Sequence, residues 1–535
     1  MGAAALGYEA WHLGMTADEP SHLAAGYAWW LGSDVLQPSD TPPLTRIVGG
    51  WVPRAMRTPV RRDSAAWRDR DAYTVGADMV ADLSPARARW LLFLSRLPFI
   101  AFPLLIAFLL WRWGGELFGE GVGLGLAACA LLEPTILGHG ALIGSDVPAA
   151  FGALWFAYAA WRYWLRPGLR RLLLMTLALV VAALIKFTLL PLVGAGLALA
   201  LWRGPRLAAG LIVLPAFYLA TLASYQFHAA PVSPVEIGNF RLVGVPHLLL
   251  PAVRLLAKLP WPAQYVRGLL FIFMATRGPG FVGYLLGRTI IGRVLAYYPV
   301  AWALKFPIPL QMLTLAGVAA LAVRIARRQA VAAEAFVWGS AALYFGSAVF
   351  SSFHIGFRHV SPALPFFILG GGFALARWTA TRAGRIAAAA GLAWLAVSSM
   401  HVYPQGISYF NEWIGGPSNG WKYLADSNVD WGQNLPELAA FMERHRIPVI
   451  RTFLFGLDPP GRYLKPGSWD PQLWPWRPGI VSHRRLQPVP GFYAVSVNAL
   501  AAFSAPPEFH DYLACFRDRE PMGRAGYGIL IYEVK

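Results

Sequence analysis

The sequence predicts a mainly helical, polytopic membrane protein with a small external α/β domain at its C-terminal end. Of its 535 residues, 56% are hydrophobic and only 14% are charged, against about 25% charged residues in typical soluble proteins. So few charges could not cover the surface of a soluble protein of this length. Intrinsic disorder is excluded as well, because it requires low hydrophobicity and high charge.

The chain is basic, with 46 Lys and Arg residues against 28 Asp and Glu residues and a net charge of +18. In a soluble protein this excess would suggest nucleic acid as a partner. In a membrane protein Lys and Arg collect in the cytoplasmic loops, so the excess indicates topology and no nucleic-acid partner is expected. Two cysteines, Cys129 and Cys515, are too few for a disulfide framework or a cysteine metal site.

Apolar segments alternate with polar ones along the chain. Residues 1–16 are apolar but shorter than the ~20 residues that cross a bilayer. Residues 17–88 are polar, amphipathic and rich in Asp, Arg and Pro, and a long loop covers residues 226–300. Ten apolar segments, which we interpret as membrane spans, lie at residues 90–113, 119–137, 146–165, 171–186, 188–202, 206–225, 307–325, 332–351, 360–378 and 384–402.

Short Arg-rich loops set the orientation of these spans. They lie on one side of the membrane, at residues 166–171, 203–206, 324–329 and 377–385. Because Lys and Arg favour the cytoplasmic side, residues 17–88, 226–300 and 404–535 are predicted to be external. Ten spans that begin and end outside require a preceding one. We therefore expect a first transmembrane helix to be missing or truncated in this sequence, with residues 1–16 as its end.

Residues 404–535 have the composition of a soluble domain, with mixed charge and many Pro, Gly and Trp residues. An amphipathic helix is predicted near residues 433–445. Strand-like patterns occur at residues 449–456, 491–500 and 527–534. A small α/β domain is therefore expected.

Three polar residues precede that helix, Asp426, Asn428 and Asp430, and their side chains are of metal-ligating types. They lack the Gly and the Glu at calcium-loop spacing, so no EF-hand is predicted. Asx turns that only shape the loop are the alternative interpretation.

Acidic residues are scarce in the apolar region. Between residues 121 and 403 only four occur, and two of them, Glu133 and Asp146, flank an external turn that also contains His139. Charges close to a bilayer are costly and are usually functional or paired. Either these three groups belong to a site at the membrane surface, or they are loop residues solvated at the interface.

A second acidic site is Asp18-Glu19, with His22 one helical turn later. An acidic pair at the external surface could accept a proton from a hydroxyl nucleophile. The same residues also fit the start of a helix, since Thr16-x-x-Glu19 matches a capping box and Pro20 suits a first helical turn.

Four basic residues, Lys186, Lys305, Arg358 and His359, lie at external ends of the apolar segments. The alternative interpretation is that these side chains only snorkel toward the membrane interface, which is common for Lys and Arg near helix ends. Together with the carboxylates, these groups suit a site where an acceptor hydroxyl attacks a lipid-linked phosphosugar. The carboxylate would handle the proton and the cations would stabilise the leaving phosphate.

Short motifs occur in a fixed order along nearly the whole chain. They are Asp18-Glu19-x-x-His22, Thr41-Pro42-Pro43-Leu44, Glu133 to Asp146-Val147-Pro148, Tyr297-Tyr298-Pro299-Val300, Lys305-Phe306-Pro307-Ile308-Pro309, Gly356-Phe357-Arg358-His359, Tyr409-Phe410-Asn411-Glu412, Gly415-Gly416-Pro417 and Asp426-Ser427-Asn428-Val429-Asp430-Trp431-Gly432-Gln433. Each is weak alone, but the ordered set is specific. In these motifs the chain resembles the integral-membrane glycosyltransferases of the GT-C class, in the bacterial protein O-mannosyltransferase-like branch (family 39).

The resemblance implies a lipid-carrier-dependent hexosyl- or pentosyltransferase. Its donor would be a polyprenyl-phosphate-linked sugar, its acceptor a hydroxyl group of a protein, lipid or glycan, and its reaction an inverting single displacement. Residues 1–403 would form a catalytic domain of about 10–11 transmembrane helices, with in-plane helices in the external loop 17–88. Residues 404–535 would form an external domain. The expected location is the bacterial inner (plasma) membrane, with the site on the periplasmic side.

Residues and resemblance together predict Asp18, Glu19 and Asp146 as the catalytic groups. The predicted substrate-binding groups are His22, Glu133, His139, Lys186, Lys305, Arg358 and His359. A divalent cation, Mg or Mn, between Asp18 and Asp146 stays open as a cofactor. The chain departs from the family where Thr41 precedes the two prolines, since the family often has His there, and no His/Cys cluster has zinc spacing.

A transporter or lipid flippase without transfer chemistry is the alternative from another class. It would need polar groups at mid-depth of the bilayer and often has repeated halves, and neither is evident in the sequence. A catalytically inactive scaffold that binds lipid carriers is the third interpretation.

Overall fold

The computed structural model describes residues 2–37, 40–204, 206–233, 235–236, 238–239, 250–278, 281–472, 485–502 and 509–535. Helix accounts for 65% of the structure, and a small sheet lies at the C-terminal end. The helices, in chain order, are α1 (Gly2–His12), α2 (Glu19–Trp30), α3 (Leu44–Ala55), α4 (Ala65–Arg68), α5 (Ala72–Ala81), α6 (Pro85–Arg96), α7 (Ala101–Phe118), α8 (Glu120–Leu132), α9 (Pro134–Gly140), α10 (Asp146–Leu165), α11 (Leu169–Ile185), α12 (Pro191–Arg203), α13 (Arg206–Ser224), α14 (Leu250–Leu256), α15 (Ala263–Arg277), α16 (Tyr297–Lys305), α17 (Ile308–Ala326), α18 (Ala332–Val349), α19 (Leu364–Trp378), α20 (Arg382–Val402), α21 (Leu435–Arg444), α22 (Val497–Ala501) and α23 (Ala514–Arg517).

Each of the ten apolar segments predicted from the sequence is helical. Within the described residues, four helices are long and apolar enough to cross a membrane: Pro85–Phe118, Ile308–Ala326, Phe357–Trp378 and Arg382–Val402. The pair α8 and α9, bent by 59°, gives a fifth if it forms one span. The chain is therefore mainly helical and carries helices with the length and composition of membrane spans.

Helix α10 lies at the centre of the bundle. It packs against α7, α11 and the 3₁₀ segment Phe357–Ala363, which leads into α19. Small residues on α10 permit close approach: a Cβ on Gly152 would lie only 3.1 Å from the Cα of Ala182 on α11. Since Asp146 is the first residue of α10, this packing brings its carboxylate next to the 3₁₀ segment.

The polar region 17–88 folds as short helices packed on one another. Helices α2 and α3 cross at Gly26 and Gly50, where a Cβ on Gly26 would lie 1.9 Å from the carbonyl oxygen of Arg46. Only glycine permits this contact, so the backbones of the two helices lie directly against each other at this crossing. The crossing positions the N-terminal end of α2, where Asp18 lies.

A fully buried ion pair joins the N-terminal region to the bundle. Arg96 donates to both carboxylate oxygens of Glu19, over 2.7 and 2.6 Å, and to the carbonyl oxygens of Ala10, Leu13 and Gly14. The Glu19 carboxylate also accepts from the backbone N–H of Thr16 and of Ile143, over 2.8 and 3.1 Å.

The bond from the Thr16 N–H to the Glu19 carboxylate is one of the two that a capping box predicts. The other is absent, because Asp18 and not Thr16 is the N-cap of α2 and the Thr16 hydroxyl donates to Glu19. The contact with Ile143 ties the start of α2 to the loop just before Asp146. One carboxylate therefore fixes two chain segments that are far apart in the sequence.

The C-terminal region forms the small α/β domain that the sequence predicts. Its strands are β1 (Ile450–Phe453), β2 (Trp469–Pro471), β3 (Gly491–Ser496), β4 (Gly523–Ala525) and β5 (Ile529–Val534). They form a sheet of the order β2-β1-β3-β5-β4, in which β1 pairs in parallel with β2 and β3, and β5 pairs antiparallel with β3 and β4. The predicted helix is α21.

The segment predicted as a long loop, 226–300, contains regular structure. Helix α15 packs its apolar residues Tyr265, Val266 and Leu270 into two small clusters, so hydrophobic burial stabilises it. The strands here are short pairs, Ala230–Pro231 with Pro260–Trp261 and Gly283–Leu285 with Arg288–Ile290. Residues 234, 237, 240–249 and 279–280 of this segment lie outside the described residues.

We expect Arg96→Met to lower the free energy of unfolding by about 3–5 kcal/mol, because it leaves the Glu19 carboxylate buried without its counter-charge. Thermal or denaturant unfolding of the purified protein measures the change. The matched control is Arg61→Met, whose ion pair with Asp82 lies at the surface, and its expected cost is about 0–1 kcal/mol. Equal costs for the two variants would contradict an anchoring role for Arg96.

Candidate functional site

A cavity of about 1250 Å³ lies where the bundle, the N-terminal region and the C-terminal domain meet. One part of its wall is apolar and the other carries charged and polar groups. The apolar part includes Phe187, Leu190, Leu269, Ile272, Phe273, Phe281, Tyr344, Phe350 and Phe353. The polar part includes Asp18, His22, Asp40, Thr41, Tyr73, Ser145, Asp146, Lys186, Arg293, Arg358, His359, Asp426 and Trp431.

The charged groups stand at the ends of helices. Asp18 immediately precedes α2, and Asp146 opens α10. Lys186 ends α11 in extended backbone, and Arg358 lies in the 3₁₀ segment before α19. At helix ends charged side chains avoid the apolar middle of the bundle, where an unpaired charge is costly.

Arg358 contacts both carboxylates in the polar part of the cavity. Its Nη1 donates to Asp18 Oδ2 over 3.2 Å and to Asp146 Oδ2 over 3.0 Å. Lys186 Nζ donates to the other oxygen of Asp146, Oδ1, over 2.5 Å. Two cations and two carboxylates from four separate helix ends thus form one cluster.

Asp18 is oriented toward the cavity instead of its own helix. It stands at the N-cap of α2, but its carboxylate accepts no hydrogen bond from the first helical turn, although Asp is among the residues whose side chains usually do. Its side chain is 27% exposed, against 9% for Arg358 and 5% for Asp146. Burial raises the pKa of Asp18, and Arg358 opposes that rise.

A second polar group lies beside Asp18 in the same cavity. His22 is buried on α2, and burial lowers its pKa to about 4, so the imidazole is neutral at physiological pH. Asp40 forms an ion pair with the buried Arg46, which holds the pKa of Asp40 below its usual range against the effect of burial. Tyr73 of α5 completes this side of the wall.

Donors remain for a substrate within this cluster. A guanidinium has five N–H donors and an ammonium has three. Among the contacts of the described residues, Arg358 uses Nε and Nη1, and Lys186 uses one donor on Asp146. The Nη2 group of Arg358 and two donors of Lys186 can therefore bind an anionic group such as a phosphate.

Six of the predicted site residues come together at this cavity. They are Asp18, His22, Asp146, Lys186, Arg358 and His359. His359 lies against Phe353, with ring centroids 5.1 Å apart.

Four other predicted residues are not part of the cavity wall. Glu19 is in the buried pair with Arg96. Glu133 caps α9 by accepting from the N–H of Ile136, and His139 of α9 lies against Trp431. Lys305 donates to the carbonyl oxygens of Ile407 and Asn428, which belong to the chain beyond residue 403.

The donor set at this site does not match a divalent cation. Asp18 and Asp146 share the guanidinium of Arg358, which lies between their carboxylates. Within the described ranges, no group of three or more His, Cys, Asp or Glu side chains is arranged to hold a metal ion. The positive charge that a metal would supply between these two acids is carried here by Arg358.

Several residues of the site, among them Asp40, Asp426 and Trp431, were not predicted as catalytic or substrate-binding residues, and Asp426 was considered only as a metal ligand or a loop residue. Asp40 directly precedes the Thr41-Pro42-Pro43 motif, and Asp426 and Trp431 belong to the motif at 426–433, so the motifs themselves point to them. Asp426 reaches the same cluster from the C-terminal domain, and burial raises its pKa to about 7 despite the nearby guanidinium of Arg358. The interpretation of Asp426 as a residue that shapes a loop is therefore compatible with its place in the cavity wall.

Comparisons with protein-family models, with curated proteins and with solved structures found no match to this chain.

The arrangement defines what the cavity can bind and do. The apolar residues of its wall suit a hydrophobic chain, and the cations Lys186 and Arg358 suit an anionic head group. Asp18, partly exposed to the same space, is in position to accept a proton from a group bound there. The ligand class that fits both parts is an amphipathic, anionic molecule.

We expect the stability of the protein to depend on the protonation of Asp426. Its folded-state pKa of about 7 lies above that of an unfolded Asp, about 3.9. The folded state therefore binds the proton more tightly, and its stability falls as the pH rises between these two values.

The variant Asp426→Asn keeps the neutral form at every pH. Its melting temperature should exceed that of the wild type by more at pH 8 than at pH 5. The exposed aspartate variant Asp470→Asn, in the same domain, is the control. A difference between Asp426→Asn and wild type that does not grow with pH would rule out this dependence.

Proposed function

We propose that this chain is a membrane-embedded glycosyltransferase of the GT-C type. It moves a sugar from a polyprenyl-phosphate donor to a hydroxyl group of a protein, lipid or glycan. The observation that carries the proposal is that one cavity has both many apolar lining residues and the ion-paired cluster of Asp18, Asp146, Lys186 and Arg358. A polyprenyl chain matches the first, and a sugar phosphate matches the second.

In the proposed reaction the acceptor oxygen attacks the anomeric carbon of the donor sugar. The bond between that carbon and the phosphate oxygen breaks, and the configuration inverts. Asp18 takes the proton from the acceptor hydroxyl. Arg358 and Lys186 stabilise the charge that develops on the leaving polyprenyl phosphate, and Asp146 holds both cations in place through its two oxygens.

A membrane location would support the same proposal. Among the described residues, four helices, or five with the bent pair, are long and apolar enough to span a membrane. Residues 17–88 and the C-terminal domain, which both contribute to the cavity, would lie on the external, periplasmic side of a bacterial inner membrane. The cavity is then at the membrane surface, where a lipid-linked donor and a water-soluble acceptor can meet.

We expect Asp18→Asn to reduce sugar transfer by at least about 100-fold, since a general base contributes 10²–10⁴-fold. Asn keeps the size of the side chain and an oxygen that can accept from Arg358, so the loss would report the missing base. The measurement is transfer or release of labelled sugar from a panel of polyprenyl-phosphate donors by the purified protein in lipid. The control is Asp63→Asn, at an exposed position of the same region.

Full turnover by a normally folded Asp18→Asn variant would reject Asp18 as the base. Movement of labelled donor across vesicles without transfer of its sugar would instead favour the flippase alternative.

A further inference from the structure

The C-terminal domain reaches the cluster through residues 426–431, which we name the clamp segment. Ser427 Oγ accepts a hydrogen bond from Arg358 Nε over 3.0 Å and donates one to the carbonyl oxygen of Ile355 over 2.6 Å. The guanidinium carbon of Arg358 lies 4.1 Å from the ring centroid of Trp431. The clamp segment thus contacts Arg358 on its Nε edge and on one face.

Hydrogen bonds of Asn428 hold the clamp segment in place. Asn428 Oδ1 accepts from the N–H of Phe357, its amide donates to Tyr297 Oη, and its carbonyl accepts from Lys305 over 2.5 Å. A Cβ on Gly356 would lie 2.2 Å from Ser427 Oγ, so only glycine lets the segment approach this closely. The buried Lys305 therefore acts on the clamp segment and not on the cavity.

The two carboxylates alone do not orient Arg358. Both accept from Nη1, so they constrain a single nitrogen of the guanidinium. Ser427 fixes the opposite edge and Trp431 fixes the plane. The direction of the remaining Nη2 group, which is the donor left for a substrate, depends on these two contacts.

We infer that Ser427 and Trp431 are positioning residues that orient the Arg358 guanidinium toward the leaving phosphate, so that the C-terminal domain completes the site. This inference rests on the proposed transferase function. It assigns to the motif at 426–433 a role in the rate of transfer, in addition to any role in folding.

Removing the aromatic face should slow transfer without weakening donor binding to the same degree. We expect Trp431→Leu to lower kcat on the order of tenfold, about 1.4 kcal/mol, because the Arg358 guanidinium loses the aromatic face that fixes its plane. The KM for the donor should change less. Trp431→Phe, which keeps an aromatic face, should recover most of the rate. Trp413→Leu, at an exposed tryptophan of the same domain, is the matched control.

A double-mutant cycle separates positioning from a general structural effect. In the Arg358→Lys background there is no Nε donor and no planar guanidinium, so Ser427→Ala and Trp431→Leu should each lower kcat by less than about twofold. Independent sites would give additive losses. Melting temperatures of all variants are compared in parallel, and Trp431→Phe covers the case in which Trp431→Leu does not fold.

Each outcome decides the inference. Losses that disappear in the Arg358→Lys background support it. Additive losses, with turnover by the wild type intact, overturn the inference and leave the proposed function standing. A wild type that turns over no donor overturns both.

Discussion

The buried ion pair between Glu19 and Arg96 is the contact on which the arrangement of the cavity depends. A charge with no exposure to solvent is tolerated only when it is paired and hydrogen-bonded, and here the pair and its partners come from three stretches of the chain, at residues 10–19, 96 and 143. Arg96 holds the backbone of residues 10–14, and Glu19 holds Thr16 and Ile143. Asp18 and Asp146 lie one and three residues from these contacts, so the pair sets the distance between them.

Adjacent residues in this chain have opposite roles because their surroundings differ. Glu19 is buried, and the guanidinium of Arg96 together with backbone donors holds its pKa below the usual range against the effect of burial. Asp18, one position earlier, borders the cavity and has a raised pKa. The first carboxylate can only stabilise the fold, whereas the second can exchange a proton. The two chemical requirements of a site, rigidity and reactivity, are thus divided between neighbours.

The C-terminal domain also contributes to the arrangement of the cavity. Lys305 and Asn411 bind backbone groups across the boundary between the bundle and this domain, and residues 426–431 then touch Arg358. A domain that the sequence separates from the helices by composition therefore shares their polar core. This explains why motifs near residue 430 accompany motifs near residues 18 and 358 in one chain.

The helices, the C-terminal sheet and the charged residues at helix ends follow from the sequence, because hydrophobic periodicity and the scarcity of charge act locally. The positions of the ten apolar helices were predicted from the sequence. The residues and the resemblance together singled out Asp18, Asp146, Lys186 and Arg358, which the structure brings to one cavity. Which charged side chains pair with one another is decided only by the tertiary structure. Arg358 meets a carboxylate 340 positions away, and Glu19 and Lys305, which look like the other charges in the sequence, bind backbone groups and a buried arginine. Burial and pairing depend on which segments pack together, and no local pattern encodes that.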